Sequence, residues 1–201
     1  MKVAGLLLAA GAGSRMGQPK ALVRLDGEPL VRRGIRLLRD GGCSSVTVVL
    51  GAAADEVIAQ GRLTDVDLCH NVDWADGMGS SLRAGLAALP ADAEATLVAL
   101  VDQPLVGAEA VRRLLAAGAD GAVAAVATYE GRRRNPVLLA RALWPAVAEA
   151  AVGEAGARTY LRSHPELVTP VECADTGSAD DVDTPEDLRL LPVPTHPQPA
   201  R

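Results

Sequence analysis

The opening of the chain constrains its fold more than any other segment. From Val3 to Ala9 no polar side chain interrupts the sequence, and the run stops at Gly11. An apolar stretch too short for a helix and closed by glycine reads as a strand buried on both faces. Three more such runs follow: Val46 to Leu50 ending at Gly51, Thr96 to Val101 ending at Asp102, and Ala122 to Val126. Helical periodicity occupies the intervals, over Leu30 to Leu38, Ala54 to Ala59, Ser81 to Leu89 and Ala108 to Leu115. Strands alternating with helices build βαβ units, hence a mainly parallel sheet covered on both faces. Ligands of such sheets sit beyond the carboxyl ends of the strands, where Gly11 and Asp102 both fall.

Beyond residue 130 the pattern loosens. Arg132 to Pro136 reads as a polar turn, followed by a short strand Val137 to Leu139 and a helix from Ala140. A helix around Gly156 to Arg162 and a strand near Val168 to Val171 complete the series. With 201 residues and no dividing linker, one domain over 1–190 is expected, with a nucleotide-binding half (1–105) and an acceptor-binding half (106–190). The prolines of residues 191–201 predict a disordered tail.

Composition narrows the partners. Hydrophobic residues make up 49% of the chain, enough for a core without disulfide or metal staples. A net charge of -5, no basic block and few aromatic rings argue against nucleic acid and anionic membranes. Cys43, Cys69 and Cys173 are scattered and odd in number, which fits a reducing compartment. No apolar run approaches the ~20 residues of a membrane span. A cytoplasmic location is the expectation. His70, His164 and His196 lack metal-ligand spacing.

Chemistry concentrates in the loop after the first strand, Leu8-Ala9-Ala10-Gly11-Ala12-Gly13-Ser14-Arg15-Met16-Gly17-Gln18-Pro19-Lys20. Small residues let backbone N–H groups approach an anion, and Arg15 and Lys20 add fixed positive charge. Lys2 and Lys20 are the only lysines among twenty basic residues, so a lysine in this loop is a selective choice. A P-loop is excluded because Lys20 lies three residues past Gly17 and Ala21 follows it. A dinucleotide fingerprint is excluded because Gly17 comes one position late and no acidic residue closes the strand ending at Leu50. An ordinary glycine-rich turn remains the alternative.

This loop resembles the signature of the MobA-like nucleotidyltransferases, within which it is most similar to the molybdenum cofactor cytidylyltransferases and the related nicotine blue oxidoreductases. The resemblance covers roughly residues 3 to 190. It implies a three-layer, Rossmann-like α/β fold of the nucleotide-diphospho-sugar transferase type. It also implies that Leu8, Ala9, Ala10 and Gly11 hold base and ribose, that Arg15 and Lys20 hold the triphosphate, and that Gly13 belongs to the same nucleotide-binding loop. Alanine at position 10, where the guanylyl branch carries glycine, favours CTP.

Nucleotidyl transfer uses a divalent cation, and hard cations want carboxylates. Asp102, in Val101-Asp102-Gln103-Pro104, is placed either for that or for capping a helix. The stretch Asp180-Asp181-Val182-Asp183-Thr184-Pro185-Glu186-Asp187 predicts a capping box between Thr184 and Asp187. The resemblance makes Asp102 and Asp183 the ligands of a Mg²⁺ ion, and Arg15, Lys20 and Asp102 the catalytic groups.

The resemblance further assigns base contacts to Gly77 and Ser81, though a plain N-cap reading of Ser81 stays open. It assigns acceptor contacts to Arg133, Asn135 and Arg158, where a solvated charge run is the alternative. The implied reaction is cytidylyl transfer from CTP to a molybdopterin-type acceptor, with a molybdoenzyme or its maturation factor as a protein partner. Two alternatives remain: an NAD(P)H-dependent reductase like nicotine blue oxidoreductase, and a non-catalytic molybdopterin carrier.

Overall fold

The computed structural model describes residues 1–191. The apolar runs become the strands β1 (Val3–Leu8), β4 (Ser45–Leu50), β6 (Ala95–Leu100) and β7 (Ala124–Tyr129). With β5 (Asp67–His70), β8 (Arg132–Ala140) and β9 (Val168–Glu172) they form one seven-stranded sheet, ordered β5-β4-β1-β6-β8-β7-β9. All neighbouring pairs run parallel except those of β8, which is antiparallel to both β6 and β7. Leu8 pairs with Val49 on one side and Leu100 on the other, so the central strands end level.

Alternation along β1 divides the core. Val3 and Leu7 face helices α1 (Leu30–Asp40), α2 (Ala54–Gly61) and α4 (Ala108–Ala119), through Val31, Ile35, Leu38, Val57, Val111 and Leu114. Ala4, Leu6 and Leu8 face α3 (Met78–Ala88), α5 (Trp144–Ala150) and α6 (Ala157–Ser163), through Leu82, Leu86, Trp144, Val147 and Leu161. The result is the expected three-layer mainly parallel α/β architecture. No described helix is long and apolar enough to cross a membrane.

The structure departs from the sequence reading in four places. Arg132 to Arg134 form no turn; they open β8, and the reversal lies at Glu130-Gly131, both at positive φ (52° and 75°). That two-residue geometry suits the twist of a hairpin, but glutamate is a poor signal for it. Ala140 ends β8 and does not start a helix; a single 3₁₀ turn, Arg141–Leu143, precedes α5. Helix α3 begins at Met78, three residues before Ser81. A small hairpin, β2 (Arg24–Leu25) with β3 (Glu28–Pro29), turns on Asp26-Gly27, a pair that does carry the hairpin signal. The last helix, α7 (Pro185–Leu190), has the predicted capping box: Thr184 Oγ1 accepts from Asp187 N, and Asp187 accepts from Thr184 N. Leu191 packs against the core, and the expected proline-rich tail otherwise lies outside the described residues.

Candidate active site

Strand β1 delivers the loop to the carboxyl edge of the sheet, where backbone bonds fasten it to both neighbours. Ala9 N donates to Val49 O, Val101 N to Leu8 O and Ala52 N to Ala10 O. Ala9 and Ala10 are buried, while Gly11 is exposed with open space around its Cα. The loop then folds back on itself at Gly13. Its φ of +61° is left-handed, and a Cβ there would overlap the Gln18 carbonyl oxygen and lie 2.9 Å from Lys20 N. This return places Lys20, at the start of a 3₁₀ turn (Lys20–Leu22), beneath the strand ends.

There Lys20 meets two carboxylates from distant parts of the chain. Its Nζ donates to Asp102 Oδ2 at 2.8 Å and to Asp183 Oδ1 at 2.5 Å. Arg15 Nη2 stands 3.3 Å from the other oxygen of Asp183, its side chain 69% exposed against 18% for Lys20. Asp102 follows β6 directly and caps no helix; the next helix, α4, is capped by Gly107. Asp183 reaches it because Val182 N donates to Asp102 O at 2.8 Å.

Electrostatics follow from this contact. Burial works against the Lys20 ammonium, but hydrogen bonds and charge from Asp102 and Asp183 together outweigh it, and its pKa lies above the usual lysine value. The Lys20 hydrogen bond holds the Asp183 carboxyl below the ordinary carboxylate range, against the opposing effect of burial, and Arg15 assists. Two anionic oxygens converging on one cation within 2.8 Å are a donor set of the kind a divalent ion takes. Lys20 holds that position in the structure. Asp102 and Asp183 would hold the ion once the ammonium moved to phosphate oxygens.

Beside the carboxylates opens a cleft of about 630 Å³. Leu8, Leu100, Val126 and Val137 are among its apolar lining residues, and Asp102 and Asp183 stand at one end. Arg133, Arg134 and Asn135 line it from β8, and Arg158 and Arg162 from α6. The register between β7 and β8 shifts here: Val126 pairs with Val137 but Thr128 with Arg133. A bulge of this kind re-aims side chains, and both Arg133 and Arg134 reach the cleft. Among the described residues none of these four arginines forms an ion pair. Arg158 and Arg162, four residues apart, share one face of α6.

The structure therefore brings Leu8, Asp102, Asp183, Arg133, Asn135 and Arg158 around one opening, with Lys20 and Arg15 held on its carboxylates; Ala9, Ala10, Gly11 and Gly13 are not among the residues that line it. It places Gly77 and Ser81 differently. Ser81 is 4% exposed and its hydroxyl accepts from Asn71 Nδ2 at 3.0 Å. Gly77, at φ +99°, lies against the Gly153 carbonyl, so the close approach it permits is to the chain's own α5–α6 loop. Sequence reasoning missed Gln103, Arg162 and Asp181 as cleft residues. Adjacency of Gln103 to Asp102, and the two-residue spacing of Asp181 from Asp183, were the available signals for two of them.

The MobA-like NTP transferase domain matches residues 5–168. The chain belongs to that family, and is an enzyme of the nucleotidyltransferase class. Among MobA-like relatives, the nicotine blue oxidoreductase of Paenarthrobacter nicotinovorans is 43% identical over 198 residues, covering 94% of this chain and 96% of the relative. The crystal structure of Rv0371c from Mycobacterium tuberculosis H37Rv superposes with a TM-score of 0.80 at 27% identity, covering 94% and 96% of the two chains. A complex of Rv0371c with manganese superposes at 0.75 with 25% identity, over 94% and 97%. The family places the fold among the nucleotide-diphospho-sugar transferases.

Proposed function

We propose that the chain transfers a cytidylyl group from CTP to the phosphate of a molybdopterin-type acceptor, releasing pyrophosphate. One observation carries this reading: Lys20 and Arg15 are held on Asp102 and Asp183, two carboxylates that line an arginine-bearing cleft. The glycine loop, Gly13 included, holds the nucleotide, with Leu8 to Gly11 at base and ribose. Lys20 and Arg15 bind the triphosphate and oppose the charge that grows on its bridging oxygen as pyrophosphate leaves. Arg133, Asn135 and Arg158 orient the acceptor phosphate, an oxygen of which attacks the α-phosphate. Alignment supplies most of the rate, and no side chain need act as a nucleophile. Mg²⁺, when bound by Asp102 and Asp183, would neutralise α-phosphate charge. Gly77 supports the pocket from behind, and Ser81 does so through Asn71.

The nucleotide half (1–105) thus supplies the loop and Asp102, and the acceptor half (106–190) the arginines and Asp183, with a molybdoenzyme or its maturation factor as the recipient of product in the cytoplasm. The relative named nicotine blue oxidoreductase favours a second reading, in which the loop holds NAD(P)H. Two carboxylates at the phosphate site weigh against it, because they repel a dinucleotide's phosphates unless a cation intervenes. A carrier without turnover would leave the same pair idle. Calorimetric titration with CTP, GTP, ATP and NADPH, each with Mg²⁺ and with chelator, separates these readings. CTP binding tightest, and far more tightly with Mg²⁺ than with chelator, is the expected result; Mg²⁺-independent NADPH binding favours the reductase.

A further inference from the structure

Gln103 follows Asp102 and is 5% exposed, an unusual place for an uncharged polar side chain outside a helix or strand. Its Nε2 donates to Asp181 Oδ1 at 2.8 Å and to the Ala179 carbonyl at 3.2 Å. Both acceptors fix the amide orientation, since the flipped group would set oxygen against oxygen. Its Oε1 is buried and finds no partner among the described residues, so burying this amide carries a cost that an apolar side chain would avoid.

The two bonds fall on one strip of chain. Ser178 N donates to Leu105 O and Val182 N to Asp102 O, laying residues 178–182 along residues 102–105. Gln103 fastens that strip between these two anchors, immediately before Asp183. Ala179 and Val182 are buried beside it. Asp183 itself is a third exposed, and among the described residues its carboxylate pairs with the side chains of Lys20 and Arg15 alone.

We infer that Gln103 is a positioning residue: its amide clamps the segment 179–181 so that the Asp183 carboxylate faces Asp102 at the distance one cation bridges. The inference rests on the proposed role of Asp183 as a metal ligand. Groups that orient metal ligands without touching the ion shift metal affinity when removed, while leaving metal-independent binding in place.

The test compares Mn²⁺ affinity, by calorimetry in the presence of CTP, for wild type, Gln103→Met and Asp181→Ala, alongside CTP binding in chelator and the melting temperature. Gln103→Met keeps the length and packing and deletes the donor. It should lose about tenfold or more in Mn²⁺ affinity, with CTP binding in chelator moving less than threefold. Asp181→Ala removes one of the two acceptors together with a charge. Asp181→Asn, which removes the charge and keeps an acceptor oxygen, is measured beside it. Asp181→Ala should lose more Mn²⁺ affinity than Asp181→Asn, and equal losses overturn the positioning role even if Gln103→Met folds poorly. Wild-type Mn²⁺ affinity in both Gln103→Met and Asp181→Ala overturns the positioning role alone, as does a parallel loss in Mn²⁺ and chelator titrations. Wild type that binds no Mn²⁺ with CTP overturns the metal-dependent reading, and with it the role given to Gln103.

Discussion

Asp102 and Asp183 share one ammonium: the Nζ of Lys20 stands 2.8 Å from the first and 2.5 Å from the second. The two carboxylates are distant in sequence; one lies two residues past the end of β6, and the other immediately precedes the capping box of α7. Repulsion between two close anions is offset by the lysine until a stronger cation arrives. Under the proposed function Lys20 exchanges these carboxylates for the triphosphate.

Lys20→Ala should act in opposite senses on two measurements. Turnover should fall roughly 10²-fold or more, because a cation opposing phosphate charge in the transition state is gone. Mn²⁺ binding without nucleotide should tighten, because the competing ammonium is also gone. Single-turnover kinetics and metal calorimetry read the two effects. Turnover within a few-fold of wild type would contradict the role given to the loop.

Gly13→Ala should disable the loop with little effect on the core. The left-handed backbone costs an alanine roughly 1–2 kcal/mol, and its Cβ would collide with the Gln18 carbonyl. Relief requires Gln18 and Lys20 to shift, so CTP affinity should drop about tenfold or more, each tenfold being ~1.4 kcal/mol. Binding isotherms check this, with near-wild-type circular dichroism as the expected accompaniment.

Acid stability should show the signature of Asp65. Hydrogen bonds from Arg39, then from Arg32, hold its carboxyl down at about 2. A folded-state pKa below the unfolded one contributes stability that is present above the unfolded value and lost as pH falls through the folded one. Asp65→Asn should be slightly less stable than wild type at pH 7, the effect being small at an exposed site. The gap should close as pH falls from the ordinary aspartate range toward 2. Melting curves at both ends check this, and an unchanged gap at low pH contradicts it.

Much of the fold was legible in the sequence because buried strands leave uninterrupted apolar runs, and β1, β4 and β6 lie in the middle of the sheet. Of β8 only Val137 to Leu139 was, since its first residues are arginines and its turn uses Glu130 at positive φ. The site divides the same way. Lys20 stood out by rarity and Asp102 by its place at a strand end. The pairing of Asp183 with Asp102 depends on a backbone bond, Val182 N to Asp102 O, that no local pattern encodes. The place of Ser81 was not legible, because its burial inside α3 and its bond from Asn71 depend on a residue ten positions away. Gln103 was passed over because glutamine after an aspartate carries no chemistry until its partners, Ala179 and Asp181, are known.

The central claim is that Asp102 and Asp183 bind a divalent cation for a triphosphate, and Asp102→Asn tests it most directly. The substitution keeps size and removes charge from a hard-cation site. Nucleotide affinity is to be measured for wild type and variant, with Mg²⁺ and with chelator. The account predicts that wild type binds CTP far better with Mg²⁺, that the variant loses this enhancement, and that its folding is unimpaired. Wild type binding NADPH well in chelator, with Asp102→Asn binding it more tightly still, would contradict cytidylyl transfer and support hydride chemistry on the same fold.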